Sequence, residues 1–145
     1  LFRAGSAPWH DDPELHEKLL RRLPPGTARR FPSLYLWDIC ALIAASRGVV
    51  SSSLHGRIVA LAYGLPRVSL FPPQQGRRPD KLTAFAETWE PDAVPRSVTI
   101  EQIEPALRQA LALPESMLQE NAAQLRVQYR HSLAQWAKLV APPAE

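Results

Sequence analysis

Residues 51–56 have the sequence Ser-Ser-Ser-Leu-His-Gly and directly follow the apolar pair Val49-Val50. The apolar run that continues to Gly64 is typical of a short helix. A strand that enters a helix through such a turn presents hydroxyls, an imidazole and free backbone N–H groups at one point. This arrangement predicts an anion-binding site at a helix N-terminus.

His55 is the residue of this turn that could also move a proton, because imidazole gains and loses charge near neutral pH. Gly56 would let a ligand approach the backbone closely, and the N–H groups near Gly56, Arg57 and Ile58 would point at an anion. The alternative is that Ser53 simply caps the helix and that His55 packs on the preceding helix. The residues alone leave both interpretations open.

A basic loop follows the next predicted strand, which runs from Arg67 to Phe71. Because ligands bind at the carboxyl ends of parallel strands, we expect the cations of this loop at the same sheet edge as His55. A solvated loop is the simpler interpretation for Arg77 and Arg78, whereas for Lys81 the two interpretations are equally supported.

The composition excludes several classes of protein. The chain has 145 residues, of which 46% are hydrophobic and 21% are charged, so one domain with a real core is expected. A net charge of +3 without a basic, aromatic-rich stripe argues against nucleic acid as a partner. The apolar stretch 34–45 is too short to span a bilayer. A lone Cys40 forms no disulfide within the chain, and Asp11 and Asp12 cap a helix more simply than they bind a metal.

The pattern of apolar residues predicts alternating helices and strands. Helices are expected after Pro13 and over residues 34–47, 55–63, 80–89, 103–111 and 115–140, and Gly48 is expected to end the helix over 34–47. Strands are expected at 27–31, 49–51 and 67–71, with a further strand at a sheet edge over 97–100. The alternation predicts an α/β, Rossmann-like three-layer domain with a mainly parallel sheet and helices on both faces. Helix 34–47 is apolar nearly all round, so we expect it to be buried on most sides. The long last helix carries an apolar stripe that we expect the sheet to cover.

These residues also resemble a known family. The runs Val49–Gly56 and Ile58–Pro66 resemble the signature of the polysaccharide pyruvyltransferases. The resemblance extends from about Pro8 to Phe85, a little over half the chain. Its other matching parts are the segment 7–12, the helix Asp38–Gly48, and the pair Lys81 and Phe85.

The resemblance implies a two-lobed fold similar to that of GT-B glycosyltransferases, in which residues 1–145 form the C-terminal, donor-binding lobe and the N-terminal lobe is absent from this chain. Members of the family move a pyruvyl group from phosphoenolpyruvate onto two hydroxyls of a saccharide, as a ketal, in exopolysaccharide or cell-envelope glycan biosynthesis. The acceptor is a saccharide or a lipid-linked saccharide, and neither a cofactor nor a metal is implied. We therefore expect a cytoplasmic enzyme, with peripheral association at the inner face of the membrane and the oligomeric state left open.

Six residues of this chain are expected to form the site, and two of them, His55 and Lys81, match residues of the family. The resemblance implies that His55 is catalytic, in donor binding and acid catalysis. The residues expected to bind the substrate are Ser52, Ser53, Gly56, Arg57 and Lys81. Ser53 is a departure, since many members have arginine two positions before the histidine. Arg57, Arg77 or Lys81 would then supply the positive charge.

Two other functions stay open. A nucleotide-sugar glycosyltransferase lobe of GT-B type predicts acidic residues after the later strands, where they would hold a ribose, and Glu87 and Glu90 are the candidates. A non-catalytic binding or scaffold domain would use His55 only for packing.

Overall fold

The computed structural model describes residues 1–2, 13–71 and 81–140 of the chain. The chain divides into two compact units, Leu1–Leu42 and Ile43–Glu145. The described elements are α1 (Pro13–Arg22), α2 (Leu36–Ala44), β1 (Val49–Ser51), α3 (Leu54–Ala62), β2 (Arg67–Leu70), α4 (Lys81–Trp89), β3 (Ser97–Val98), a 3-10 turn (Ile100–Gln102), α5 (Ile103–Leu111) and α6 (Glu115–Val140). None of the described helices combines the length and the hydropathy that a bilayer span requires.

The first unit contains α1, whose predicted position is confirmed. Glu14 lies in its first turn and Arg21 and Arg22 lie in its last, which suits the helix dipole at both ends. The predicted caps Asp11 and Asp12 lie outside the described residues.

The strand predicted at 27–31 is wrong, because these residues adopt no regular structure. The Thr27 N–H donates to the Pro24 carbonyl at 3.2 Å within a turn. The other backbone hydrogen bonds of this segment join it to a single described residue: the Leu1 amine donates to the Arg29 carbonyl at 2.7 Å, and the Phe31 N–H donates to the Leu1 carbonyl at 2.7 Å. One bridging residue is too little for a strand.

Helix α2 is shorter and more exposed than its composition predicts. Ile39 and Ile43 are buried, but the Trp37 side chain is 66% exposed, so burial on most sides is not observed. The prediction that Gly48 ends this helix is also wrong, because α2 ends at Ala44 and Gly48 directly precedes β1. Glycine is nevertheless favoured at position 48 because the backbone packs closely at the start of β1: a Cβ atom there would lie only 3.2 Å from the Pro66 carbonyl oxygen.

The second unit is built on a small open sheet in the order β1-β2-β3, and its three described strands are parallel. Val50 pairs with Val68 and Ser69 with Ser97, so neighbouring strands end at the same edge. The expectation of a parallel sheet with 97–100 at its edge is confirmed in type and place, although β3 is only two residues long.

Helices cover both faces of this sheet. Val68 packs with Ala106 and Ala110 of α5. The next residue of β2, Ser69, accepts a hydrogen bond from Arg57 of α3. Because neighbouring residues of a strand point to opposite faces, α5 and α3 lie on opposite sides of the sheet, as the alternation of elements predicted.

The last helix packs mainly against α3, through the buried Leu118 and Ala122. The expectation that the sheet covers its apolar stripe is therefore wrong. From residue 126 to 140 every described residue of α6 is exposed, because the helix extends past the elements on which it packs.

Candidate functional site

The turn between β1 and α3 is shaped by its own serines. Ser53 is the N-cap of α3, with an extended backbone (φ −96°, ψ 127°), and its hydroxyl accepts a long hydrogen bond of 3.4 Å from the Gly56 N–H. The Ser53 N–H in turn donates to the Ser51 hydroxyl at 3.0 Å. The predicted cap is confirmed, and it determines that α3 begins at the next residue, Leu54.

His55 is the second residue of α3 and is exposed, so its imidazole is not a core side chain. Ser52 beside it is also exposed, whereas Ser53 is half-buried and Gly56 is buried. The turn therefore presents one imidazole and one hydroxyl to solvent at the carboxyl end of β1.

The N–H groups expected to face an anion are partly used within the cap itself. The Gly56 N–H donates to the Ser53 hydroxyl, and the Arg57 N–H donates to the Ser53 carbonyl at 3.1 Å. The first-turn N–H groups of Leu54 and His55 donate to no acceptor among the described residues. The open donors thus lie two residues earlier than the sequence suggested, as the first turn of a helix requires.

Lys81 is the first residue of α4 and is exposed. Since β1 and β2 are parallel neighbours, α3 and α4 both begin on the side where these strands end, and the two helices contact each other. This connectivity predicts that His55 and Lys81 lie at one edge of the sheet. Arg77 and Arg78 lie outside the described residues. In residues 13–71 and 81–140 no three metal-ligating side chains converge.

Arg57 does not share this exposed edge, because its side chain is buried in the core, with 2% of the residue exposed. Its Nε and Nη2 donate to the two carboxylate oxygens of Glu90 at 2.8 and 2.7 Å. Its Nη1 donates to the Ser69 hydroxyl at 2.9 Å, and its Nη2 also donates to the Pro95 carbonyl at 2.9 Å. With most of its donors engaged, Arg57 binds α3 to β2 and to the end of α4.

A second buried arginine shares the same carboxylate. Arg67 Nε lies 3.2 Å from a Glu90 oxygen, as an ion pair without hydrogen-bond geometry, and its Nη1 donates to the Leu65 carbonyl at 2.9 Å. Its Nη2 has no hydrogen-bond partner among the described residues. Burial lowers the pKa of the Arg67 guanidinium, and the opposing attraction of Glu90 does not fully offset it. The cluster Arg57–Glu90–Arg67 thus holds two buried cations and one anion.

Sequence reasoning missed this cluster, although one signal was present. Arg57 and Arg67 occupy positions that the apolar pattern assigns to buried faces, and a buried charge requires a partner. That partner, Glu90, was considered only as a ribose ligand. Nothing in the local spacing connects residues 33 positions apart along the chain.

A groove of about 770 Å³ lies between α3, α4 and α6, and we call it the α3–α6 groove. Its walls include Ile58 and Leu61 of α3, Phe85 and Trp89 of α4, and Leu125 and Tyr129 of α6. Arg126 and His131 also lie in the lining. The sequence showed the apolar stripe on α6 but not that two aromatic side chains of α4 would face it.

The chain was compared with protein-family models, with curated protein sequences and with solved structures, and no significant match was found in any of the three. The geometry of the site therefore carries the functional argument.

Proposed function

We propose that this chain is the donor-binding lobe of a transferase that moves a pyruvyl group from phosphoenolpyruvate onto a saccharide, in exopolysaccharide or cell-envelope glycan biosynthesis. The observation that supports it best is the exposed His55 in the first turn of α3, with Lys81 opening the neighbouring helix at the same edge of the sheet. A helix N-terminus and a lysine at one edge favour a small, highly charged anion.

Phosphoenolpyruvate carries a phosphate and a carboxylate, and the site offers groups for both. The first-turn N–H groups of Leu54 and His55 would donate to one anionic group, and the Lys81 ammonium would neutralise part of the charge. The exposed Ser52 hydroxyl would add a donor. Because the Arg57 guanidinium is buried with Glu90, it would act on the donor only by holding α3 in place.

In the proposed reaction His55 either protonates the methylene carbon of the donor or holds its phosphate. In the first case the proton makes the methyl group, a saccharide hydroxyl adds to the neighbouring carbon, and its proton returns to the imidazole. The C–O bond to phosphate then breaks, and a second hydroxyl closes the ketal while its proton leaves with inorganic phosphate. The products are the pyruvate ketal and phosphate, and every proton is accounted for.

The nucleotide-sugar alternative is less well supported. Its two candidate ribose ligands were Glu87 and Glu90, and Glu90 is 8% exposed and bonded to Arg57. Glu87 remains on the exposed side of α4. A single surface carboxylate is a weak basis for recognising a ribose.

Calorimetric titration of the chain with phosphoenolpyruvate tests the proposal. We expect saturable binding that the His55→Ala change weakens about 10- to 100-fold, the cost of one or two hydrogen bonds to a charged group. Lys81→Gln should weaken it as well. Gln124→Ala is the matched control, since Gln124 is an exposed residue of α6 that lies outside the lining of the α3–α6 groove.

Three results would contradict the proposal. Equal affinity in the His55→Ala and Gln124→Ala variants would mean that the anion binds elsewhere. Binding of a uridine-diphosphate sugar in place of phosphoenolpyruvate would support the glycosyltransferase alternative. Absence of binding to either compound would support a non-catalytic domain.

A further inference from the structure

The α3–α6 groove has a second property besides its apolar walls: it is positively charged. Arg126 contributes a guanidinium to the lining, and none of the described lining residues is acidic. His131 also lies in the lining, with its Nε2 2.9 Å from the side-chain nitrogen of Gln135. Residues 121–140 of α6 contain no Asp or Glu at all, but include Arg130 and Lys138. The groove is thus an apolar recess with one guanidinium and no acidic side chain among its described lining residues.

We infer that the α3–α6 groove binds a single-chain anionic amphiphile, whose hydrocarbon chain lies between α3, α4 and α6 and whose head group pairs with Arg126. The volume of about 770 Å³ falls in the range of small-molecule sites. The aromatic side chains of Phe85, Trp89 and Tyr129 offer broad apolar contact to a chain.

The charge of the groove lining indicates that the head group of the amphiphile is anionic. The Arg126 Nε donates to the Ala122 carbonyl at 3.3 Å, and no described residue accepts a hydrogen bond from its two terminal nitrogens. A guanidinium with free donors beside an apolar surface favours a phosphate or carboxylate over a neutral or cationic group.

The same observations disfavour other occupants. A second copy of the chain would bring another α6 with the same positive charge, so like charges would face each other. A bilayer surface would meet the projecting end of α6, where Trp136 and Leu139 are exposed, but would not fill a recess between three helices. The inference uses the groove alone and does not depend on phosphoenolpyruvate.

Titration of the chain with monododecyl phosphate, below its micellar concentration, tests the inference by calorimetry. We expect one-to-one binding at least tenfold tighter than that of the neutral dodecyl maltoside, and no heat from inorganic phosphate at the same concentration. Arg126→Gln should weaken binding about tenfold, whereas Arg130→Gln, an equivalent change outside the groove lining, should leave it unchanged.

A second pair of variants tests the chain-binding walls. Ile58 is 37% exposed, so Ile58→Glu is compatible with folding and should abolish binding. Val127→Glu introduces the same charge at a residue that is 68% exposed and outside the lining, and should retain binding. Circular dichroism of each variant confirms that it is folded before titration.

Several results would overturn the inference. One is that the chain binds dodecyl maltoside as tightly as it binds monododecyl phosphate. The others are that the Ile58→Glu variant binds monododecyl phosphate with unchanged affinity, or that Arg126→Gln and Arg130→Gln lower this affinity equally. In a further outcome the chain fails to bind monododecyl phosphate but sediments with vesicles of equal parts phosphatidylglycerol and phosphatidylcholine. If the Trp136→Ala change abolished that sedimentation, the groove and the end of α6 would be assigned to a membrane. If the chain dimerised without binding the amphiphile, and Ile58→Glu abolished the dimer, the groove would be assigned to a second copy of the chain.

Discussion

Replacing Glu90 by glutamine removes the carboxylate that two buried guanidinium groups share. In the structure both Glu90 oxygens accept hydrogen bonds from Arg57, and one of them also pairs with Arg67. The side chains in this cluster are each 1% exposed, so water and salt do not screen the charges that remain. Glutamine keeps the shape of the side chain but leaves two positive charges together in the core.

The expected loss in the free energy of unfolding is about 3–5 kcal/mol, the cost of leaving a buried charge without its partner. That is a large part of the roughly 5–15 kcal/mol that stabilises an ordinary domain. With a urea dependence of about 2 kcal/mol per molar, the unfolding midpoint should fall by about 1.5–2.5 M. Glu87→Gln, in the last turn of α4, is the matched control, and because Glu87 is exposed its effect should stay within about 0.5 kcal/mol.

Urea unfolding followed by circular dichroism gives the midpoint. Because the chain has two compact units, hydrogen exchange of the amides in α3 and β2 should be measured alongside it, so that the change is assigned to the second unit. A midpoint shift equal to that of Glu87→Gln would refute the role given to the cluster. Recovery of the midpoint in 1 M salt would also refute it, since a buried charge is screened little.

Three further changes test the packing around the site. Ser53→Ala should lower the free energy of unfolding by about 0.5–1 kcal/mol through loss of a weak cap, and Ser52→Ala should not; urea midpoints compare them. Leu118→Ala, at 1% exposure, should cost about 2–5 kcal/mol, whereas Leu139→Ala, at 82% exposure, should cost almost nothing in thermal unfolding. Gly64→Ala should cost about 1–2 kcal/mol by the same measurement, because its φ of +64° is left-handed; a neutral result would contradict the strain argument.

Two different chemical environments follow one another along α3. Its first turn, at His55, presents polar donors at the sheet edge, and one turn later Ile58 lines an apolar groove. On α4 the same order recurs, with Lys81 first and Phe85 four residues on. The polar residues of the proposed anion site and the apolar walls of the groove thus lie on successive turns of two adjacent helices, which is why separate variants can test the two proposals independently.

The sequence by itself determined the local elements of the second unit. The capping serine, the apolar helix and Gly64 place α3 within a residue of its observed bounds, since caps and a left-handed glycine act over a few residues. The alternation of helices and strands likewise predicted the parallel sheet with helices on both faces. Local chemistry also placed His55 at the junction of β1 and α3, but it left open whether the imidazole packs against the preceding helix.

Only the tertiary structure decided what each charged or apolar side chain faces. Arg57 was expected at the anion, but Glu90, 33 residues later, binds it in the core. The stripe on α6 was expected on the sheet, yet α6 packs on α3 and leaves a groove beside Phe85 and Trp89. The physical reason is the same in both cases: these partners are far apart along the chain, and only the packing of helices on the sheet brings them together.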